Sequence, residues 1–224
     1  MAGPPSSEAI TLRPATPADA REAAPLIYAA GPLLFDRIYG PRPEDALGFF
    51  GAAFLQPGTP FSHENAVLAE QSGAVIGLAS SLPTTALRSA WPQTGRLMMR
   101  LRGPRLLLRM PSIMFDLRGS SGTTPPEAYY LGILAVRSDV RGRGIGGLLL
   151  AEVCRRAEAA GCAAVCLHAE LDNVGARRFY TRHGFQVTAE HPTPRAVRWG
   201  VSGFVTMRKE IVAVPSGYTA PKRE

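Results

Sequence analysis

Cysteine, lysine and long apolar runs are scarce in this chain of 224 residues. Its three cysteines, Cys154, Cys162 and Cys166, are too few for a disulfide framework and show no CxxC spacing. The four histidines (His63, His168, His183, His191) lack HExxH or similar ligand spacing, so no metal site is expected. No apolar stretch approaches the ~20 residues that span a bilayer, so no transmembrane segment is expected. The opening MAGPPSSEAI has neither the basic region nor the apolar core of a secretory leader. These absences point to a soluble cytoplasmic protein. Among 25 basic residues only Lys209 and Lys222 are lysine.

What is present describes one globular domain with tails. Hydrophobic residues make up 46% and charged residues 19%, enough for a real core. Glycine (23) and proline (20) are abundant and imply many turns. The net charge of +7 is concentrated: residues 88–118 hold seven arginines and one acid, Asp116. Such a segment suits an acidic acceptor, an anionic surface, or a merely solvated face over packed Leu and Met.

Residues 1–9 and 213–224 read as tails, and 10–212 as the domain. Ile10–Arg13 alternates like a strand. Thr16-Pro17 opens a helix running to about Ala30, with Pro25 interrupting it. A second helix is expected over Pro43–Phe54, with Leu47, Phe50 and Phe54 on one side. Asn65–Glu70 and Ala74–Ser81 form a hairpin about Ser72-Gly73. Segment 82–126, with six prolines and the arginine cluster, reads as an irregular basic insert, partly helical. Tyr129–Val136 reads as a strand buried on both faces. Helix Ile145–Ala160, strand Ala163–Ala169, helix Asn173–His183 and strands Phe185–Glu190 and Gly203–Lys209 follow. The order implies an α/β domain around a mixed sheet flanked by helices.

The stretch from Val136 to Gly147, VRSDVRGRGIGG, joins a strand to an amphipathic helix. Glycines there let the backbone approach a ligand. A helix N-terminus offers unpaired N–H groups and a partial positive charge, which suit a pyrophosphate. Arg141 and Arg143 add charge-assisted contacts. Two cofactor classes fit. Gly142, Gly144 and Gly147 satisfy GxGxxG, with Glu170 ending the next strand as a ribose-binding acid would, which gives a nucleotide-dependent oxidoreductase. Against it, five residues, Arg137 to Arg141, separate the strand from the first glycine, and no second mononucleotide-binding half follows.

The other reading takes Arg141-x-x-Gly144-x-Gly146 together with Asn173, Ala176, Phe179-Tyr180 and Gly184-Phe185. With these motifs the chain resembles the GCN5-related N-acetyltransferase (GNAT) family, from Ile10 to about Ile211. The opening I-x-L-R-P-A-T-P-x-D-A is similar to the family's usual start. The resemblance implies a mixed β-sheet splayed beside the strand ending Leu134-Ala135-Val136; the insert between the third and fourth strands departs from the family's compact pattern, where that connection is short. It implies acetyl-CoA as cosubstrate. Its pyrophosphate would lie on the backbone N–H groups of Arg141, Gly142, Arg143, Gly144, Ile145 and Gly146. Its pantetheine arm would pair with Leu134, Ala135 and Val136 and meet Asn173. Tyr180 would be the general acid for the departing thiolate, and a direct attack by a primary amine the reaction.

For the base, the residues offer Glu127, just before the fourth strand and on the face of Tyr129; His168 and Glu170 are further candidates. The acceptor stays open between a small molecule, a protein N-terminus and a lysine. The insert suits a lid over the acceptor or a homodimer contact. A third reading, a basic nucleic-acid or membrane-surface module on 88–118, leaves the second-half motifs unused.

Overall fold

The computed structural model describes residues 9–40, 42–103, 105–117 and 124–211. The expected tails, apart from Ala9 at their edge, lie outside the described residues, as does part of the insert, Arg118 included. In chain order come β1 (Thr11–Pro14), a 3-10 turn (Pro17–Asp19), α1 (Ala20–Ala29), α2 (Pro32–Tyr39) and α3 (Pro43–Leu55). Then come β2 (Ala66–Gln71), β3 (Ala74–Pro83), α4 (Thr84–Arg102), α5 (Arg105–Asp116) and β4 (Ala128–Val136). The last are α6 (Ile145–Ala159), β5 (Ala164–Glu170), α7 (Val174–Arg182), β6 (Gln186–Pro192) and β7 (Gly203–Glu210). The strands form one sheet in the order β1-β2-β3-β4-β5-β7-β6. Every neighbouring pair is antiparallel except β4–β5. This is the mixed sheet expected, and it lacks the run of parallel strands on which a doubly wound dinucleotide fold depends.

Local sequence explains most elements. Ser72 and Gly73 take φ of 53° and 75°, the left-handed pair that a two-residue hairpin turn requires. Asp19 accepts from the Thr16 N–H at 2.7 Å and from Arg13, whose guanidinium holds its carboxyl down at about 2. That contact locks β1 to the start of α1. α2 is an element that the sequence pattern does not announce. It has eight residues between Gly31 and Gly40, too few for a helical period to stand out.

Two cores sandwich the sheet. One lies under α1, α2 and α3 and is aromatic: Tyr39 stacks on Phe49 (centroids 4.2 Å apart) and Phe50 meets Phe35 and Phe61 edge-on at 4.8 and 5.0 Å. Each fully buried phenylalanine contributes roughly 1.5–3 kcal/mol of burial. The buried side of α3 is Ala46, Phe49, Phe50, Ala53 and Phe54, and Leu47 sits only half-buried at its edge. The second core lies under α6, with Leu149, Leu150 and Val153 against Val165, Leu167, Val205 and Met207.

The insert differs from the irregular segment expected. Residues 84–116 form two helices broken near Gly103, whose φ is 67°. Their internal prolines, Pro92 and Pro111, are exposed, so water can hydrate the carbonyls they leave unpaired. Ala90, Thr94, Leu97 and Met98 turn inward, while Arg88, Arg96 and Arg100 face solvent. The lone acid of the cluster, Asp116, is buried and anchors the end of α5. It takes hydrogen bonds or ion pairs from Arg198, in the β6–β7 connection, and from Arg37 of α2 at 3.6 Å. Arg37 also lies over the Trp199 ring at 4.5 Å, and Arg195 over Phe115 at 4.3 Å. Among the described residues no helix is long and apolar enough to cross a membrane.

Candidate active site

The sheet opens where β4 and β5 part. They pair in parallel only over Ala128–Leu131 and Ala164–Leu167. Beyond that, β4 follows β3 to Val136 and β5 follows β7 to Glu170. The register of β3 on β4 jumps from Ser80↔Ile133 to Ser81↔Leu131, so Gly132 is an extra residue, a β-bulge that re-aims the strand. Below it Leu131 faces the core under α6; above it Ile133 joins the core under α1–α3. β4 was expected to be buried on both faces. Instead Tyr130, Leu134 and Val136 are half-buried and Gly132 is exposed, and Tyr130, Gly132 and Leu134 border a cavity.

The cavity measures about 440 Å³, a size suited to a small ligand. Gly132, Ile133 and Leu134 line it from β4, His168 and Glu170 from β5, and Asn173, Ala176 and Tyr180 from the α7 region. α2 and α4 close the far side.

Beyond β4, a turn with Gly142 and Gly144 leads into α6. Both take positive φ, 81° and 79°, and nothing lies within 4 Å of a Cβ built on either. Conformation, not space, therefore demands glycine there. Gly144 is the N-cap, and its carbonyl accepts the first helical bonds from Gly147 (2.9 Å) and Leu148 (3.1 Å). The N–H groups of Ile145 and Gly146 precede that ladder, as donors with no intrahelical partner. Arg141 donates Nε to the Val136 carbonyl (3.2 Å), tying the turn to the end of β4, and Arg143 is exposed. Gly146 and Gly147 have a second purpose. A Cβ on them would meet Phe179 at 3.2 Å and the His183 ring at 3.1 Å, so they let α7 approach α6 closely.

That approach sets Tyr180. Gly184, at φ 86°, ends α7 by turning the chain so that the Phe185 N–H reaches the Tyr180 carbonyl (3.1 Å). Tyr180 is buried yet lines the cavity; burial, and then nearby Tyr130, push its phenol well above its ordinary value. Asn173 caps α7, accepting the Ala176 N–H on Oδ1 at 2.9 Å, which leaves its Nδ2 for any ligand.

Glu127, expected beside the acceptor, is exposed at the start of β4 and does not line the cavity. The reason is strand parity. Tyr129, which shares its face, is buried in the α6 core with its hydroxyl on the Ser81 carbonyl (3.3 Å), whereas the cavity lies on the face of Tyr130. Three titratable groups line the cavity there. Tyr130, pushed up to about 12 by burial, shares a hydrogen bond with His168 Nδ1 at 3.2 Å. His168 is held down at about 4 by burial and by His191, so its ring is neutral at ordinary pH. Its Nε2 is buried with no partner among the described residues. Glu170 has its carboxyl raised by burial and by Asp172. A carboxylate on a lone strand end carries little sequence signal; only the parting of β4 from β5 brings it to the cavity.

Comparison with known proteins agrees with this geometry. The model of the acetyltransferase (GNAT) family matches residues 43–185. Among solved structures, an acetyltransferase superposes with a TM-score of 0.64 at 23% identity, covering 90% of this chain and 99% of that one. An N-acetyltransferase from Staphylococcus aureus Mu50 gives 0.66 at 17% identity, covering 88% and 99%. The PaiA N-acetyltransferase from Thermoplasma acidophilum, in complex with coenzyme A, gives 0.52 at 13% identity, covering 90% and 99%. These likenesses speak for the fold, and no curated protein matches the sequence. Neither the oxidoreductase nor the basic-module reading finds support in them. The fold and a family match over well above half of its length place the chain in the acetyltransferase (GNAT) family.

Proposed function

We propose that the protein transfers the acetyl group of acetyl-CoA directly to a primary amine. One observation carries this reading: the opening between β4 and β5 lies beside a glycine turn that starts α6, so a thioester and a diphosphate would find hosts on one side of one strand. Acetyl-CoA supplies the activated thioester. The backbone N–H groups from Arg141 to Gly146 receive its diphosphate, with Arg141 and Arg143 adding charge. The unpaired edge over Leu134, Ala135 and Val136 receives the amides of its arm, and an N–H there polarises the thioester carbonyl. Asn173 meets the arm through Nδ2.

As the C–N bond forms and the C–S bond breaks, Tyr180 gives its proton to the sulfur. A raised phenol keeps that proton available through the neutral range. Glu170 takes the proton from the amine, directly or through water, in place of Glu127. Cys154, Cys162 and Cys166 are not in the cavity lining, and burial raises all three thiols, which favours direct transfer over an acyl-cysteine.

The test is the free thiol. Full-length protein with acetyl-CoA and a panel of primary amines should release thiol, and acetyl-CoA should raise its melting temperature. Stabilisation by NAD or NADP in place of CoA would overturn the proposal.

A further inference from the structure

The acceptor end of the cavity has a composition of its own. Beyond the Tyr130–His168–Glu170 group, its walls are Leu34 and Phe35 of α2, Phe61, Leu82, and Leu87 and Trp91 of α4. Met114 of α5 completes the rim. Trp91 and Met114 are each about half exposed (55% and 52%), so they stand at the mouth. Among the described residues, Glu170 is the one charged side chain in the lining. Of the arginines that give segment 88–118 its charge, the three whose side chains are described, Arg88, Arg96 and Arg100, are exposed and outside the lining.

Three acceptor classes fit these walls poorly. An acceptor bearing a carboxylate or phosphate needs a cation, and among the described residues the lining supplies none. A polyamine or amino sugar brings several ammonium and hydroxyl groups, and one carboxylate leaves most of them buried without partners. A lysine on a polypeptide brings several main-chain amides to the mouth, where an indole offers one N–H donor and a thioether only a weak acceptor. An amine with one charge and an apolar body matches: the ammonium meets Glu170, and the body lies against Phe35, Leu82, Leu87 and Trp91.

Resting on the acetyl-transfer reading above, we infer that the acceptor is a small, free monoamine with an apolar alkyl or aryl body, received in the chamber that α2, α4 and α5 build. Specificity then comes from the helices inserted between β3 and β4.

The experiment measures kcat/KM by thiol release, with intact protein and saturating acetyl-CoA. Acceptors are a homologous series from methylamine to hexylamine, then phenethylamine, spermidine and a lysine peptide. The value should climb about three- to fourfold per methylene until the chamber is full. Phenethylamine should exceed spermidine and the peptide by at least tenfold. Trp91→Ala and Met114→Ala alter half-exposed side chains and should leave the fold intact. They should lower kcat/KM for phenethylamine about fivefold or more, and by a larger factor than for methylamine. A flat alkyl series, or spermidine or the peptide as best substrate, overturns the inference and leaves acetyl transfer standing. Absence of both thiol release with every amine and stabilisation by acetyl-CoA overturns acetyl transfer itself, and the inference with it.

Discussion

The turn that starts α6 and the α4–α5 insert make opposite demands on sequence. In the turn, two positive φ angles and a helix N-terminus require glycine at Gly142 and Gly144, whatever surrounds them. In the insert almost nothing is required residue by residue. Ala90, Thr94, Leu97 and Met98 face inward, Arg88, Arg96 and Arg100 face water, and one acid, Asp116, is held by Arg37 and Arg198 from distant parts of the chain. The first region suits a ligand portion shared by a whole family. The second can change its occupant by exchanging generic side chains. In the proposed reading, the cofactor end of the site is therefore written in backbone, and the acceptor end in packing.

Mutations can break that contrast. Tyr180→Phe should have the largest effect. It should lower kcat by ~10²–10⁴ while calorimetry finds acetyl-CoA affinity within about twofold of the parent. An unchanged kcat across pH would remove the acid role. Gly144→Glu should weaken acetyl-CoA binding by about 100-fold or more, because it strains the N-cap and puts an anion where the diphosphate belongs. Gly144→Asn tolerates the left-handed conformation and should retain much of the affinity; if both variants bind alike, the turn is not the anion site.

Asp116→Ala acts on the other region. It strands Arg37, yet Arg198 is 61% exposed and can hydrate, so we expect about 2–3 kcal/mol, below a fully buried pair. Thermal melting should drop by roughly 5–10 °C, with acetyl-CoA affinity kept and amine KM raised. Loss of acetyl-CoA affinity would show that the two regions are not separable. His168 gives the smallest signal. Its folded value near 4 lies below the ordinary 6.5, so the unfolded chain takes up a proton first as pH falls. Stability should decline by about 1–2 kcal/mol between pH 6.5 and 5. Glu170, raised in the fold, works in the opposite direction at lower pH, since its folded form holds the proton longer. Urea titrations of His168→Gln should lack the histidine's share of the slope.

Legibility followed the same division. The hairpin at Ser72-Gly73 and the glycine turn were visible because each answers a local constraint of backbone geometry. α2 and the helical form of residues 84–116 were not, since eight residues give too little periodicity and Pro92 and Pro111 mimic loop punctuation. Glu127 and Glu170 were both readable as candidate bases. Counting alternate residues along a strand says which of them share a face, but not which face borders a cavity.

By itself, then, the chain determined its order of elements in the second half, its left-handed glycines and its family, because these rest on interactions among residues close in sequence. Tertiary structure alone decided the rest. The bulge at Gly132, the parting of β4 from β5, the partners of Asp116 and the place of Glu170, not Glu127, in the cavity lining depend on contacts between distant segments, whose energies no single stretch of sequence contains.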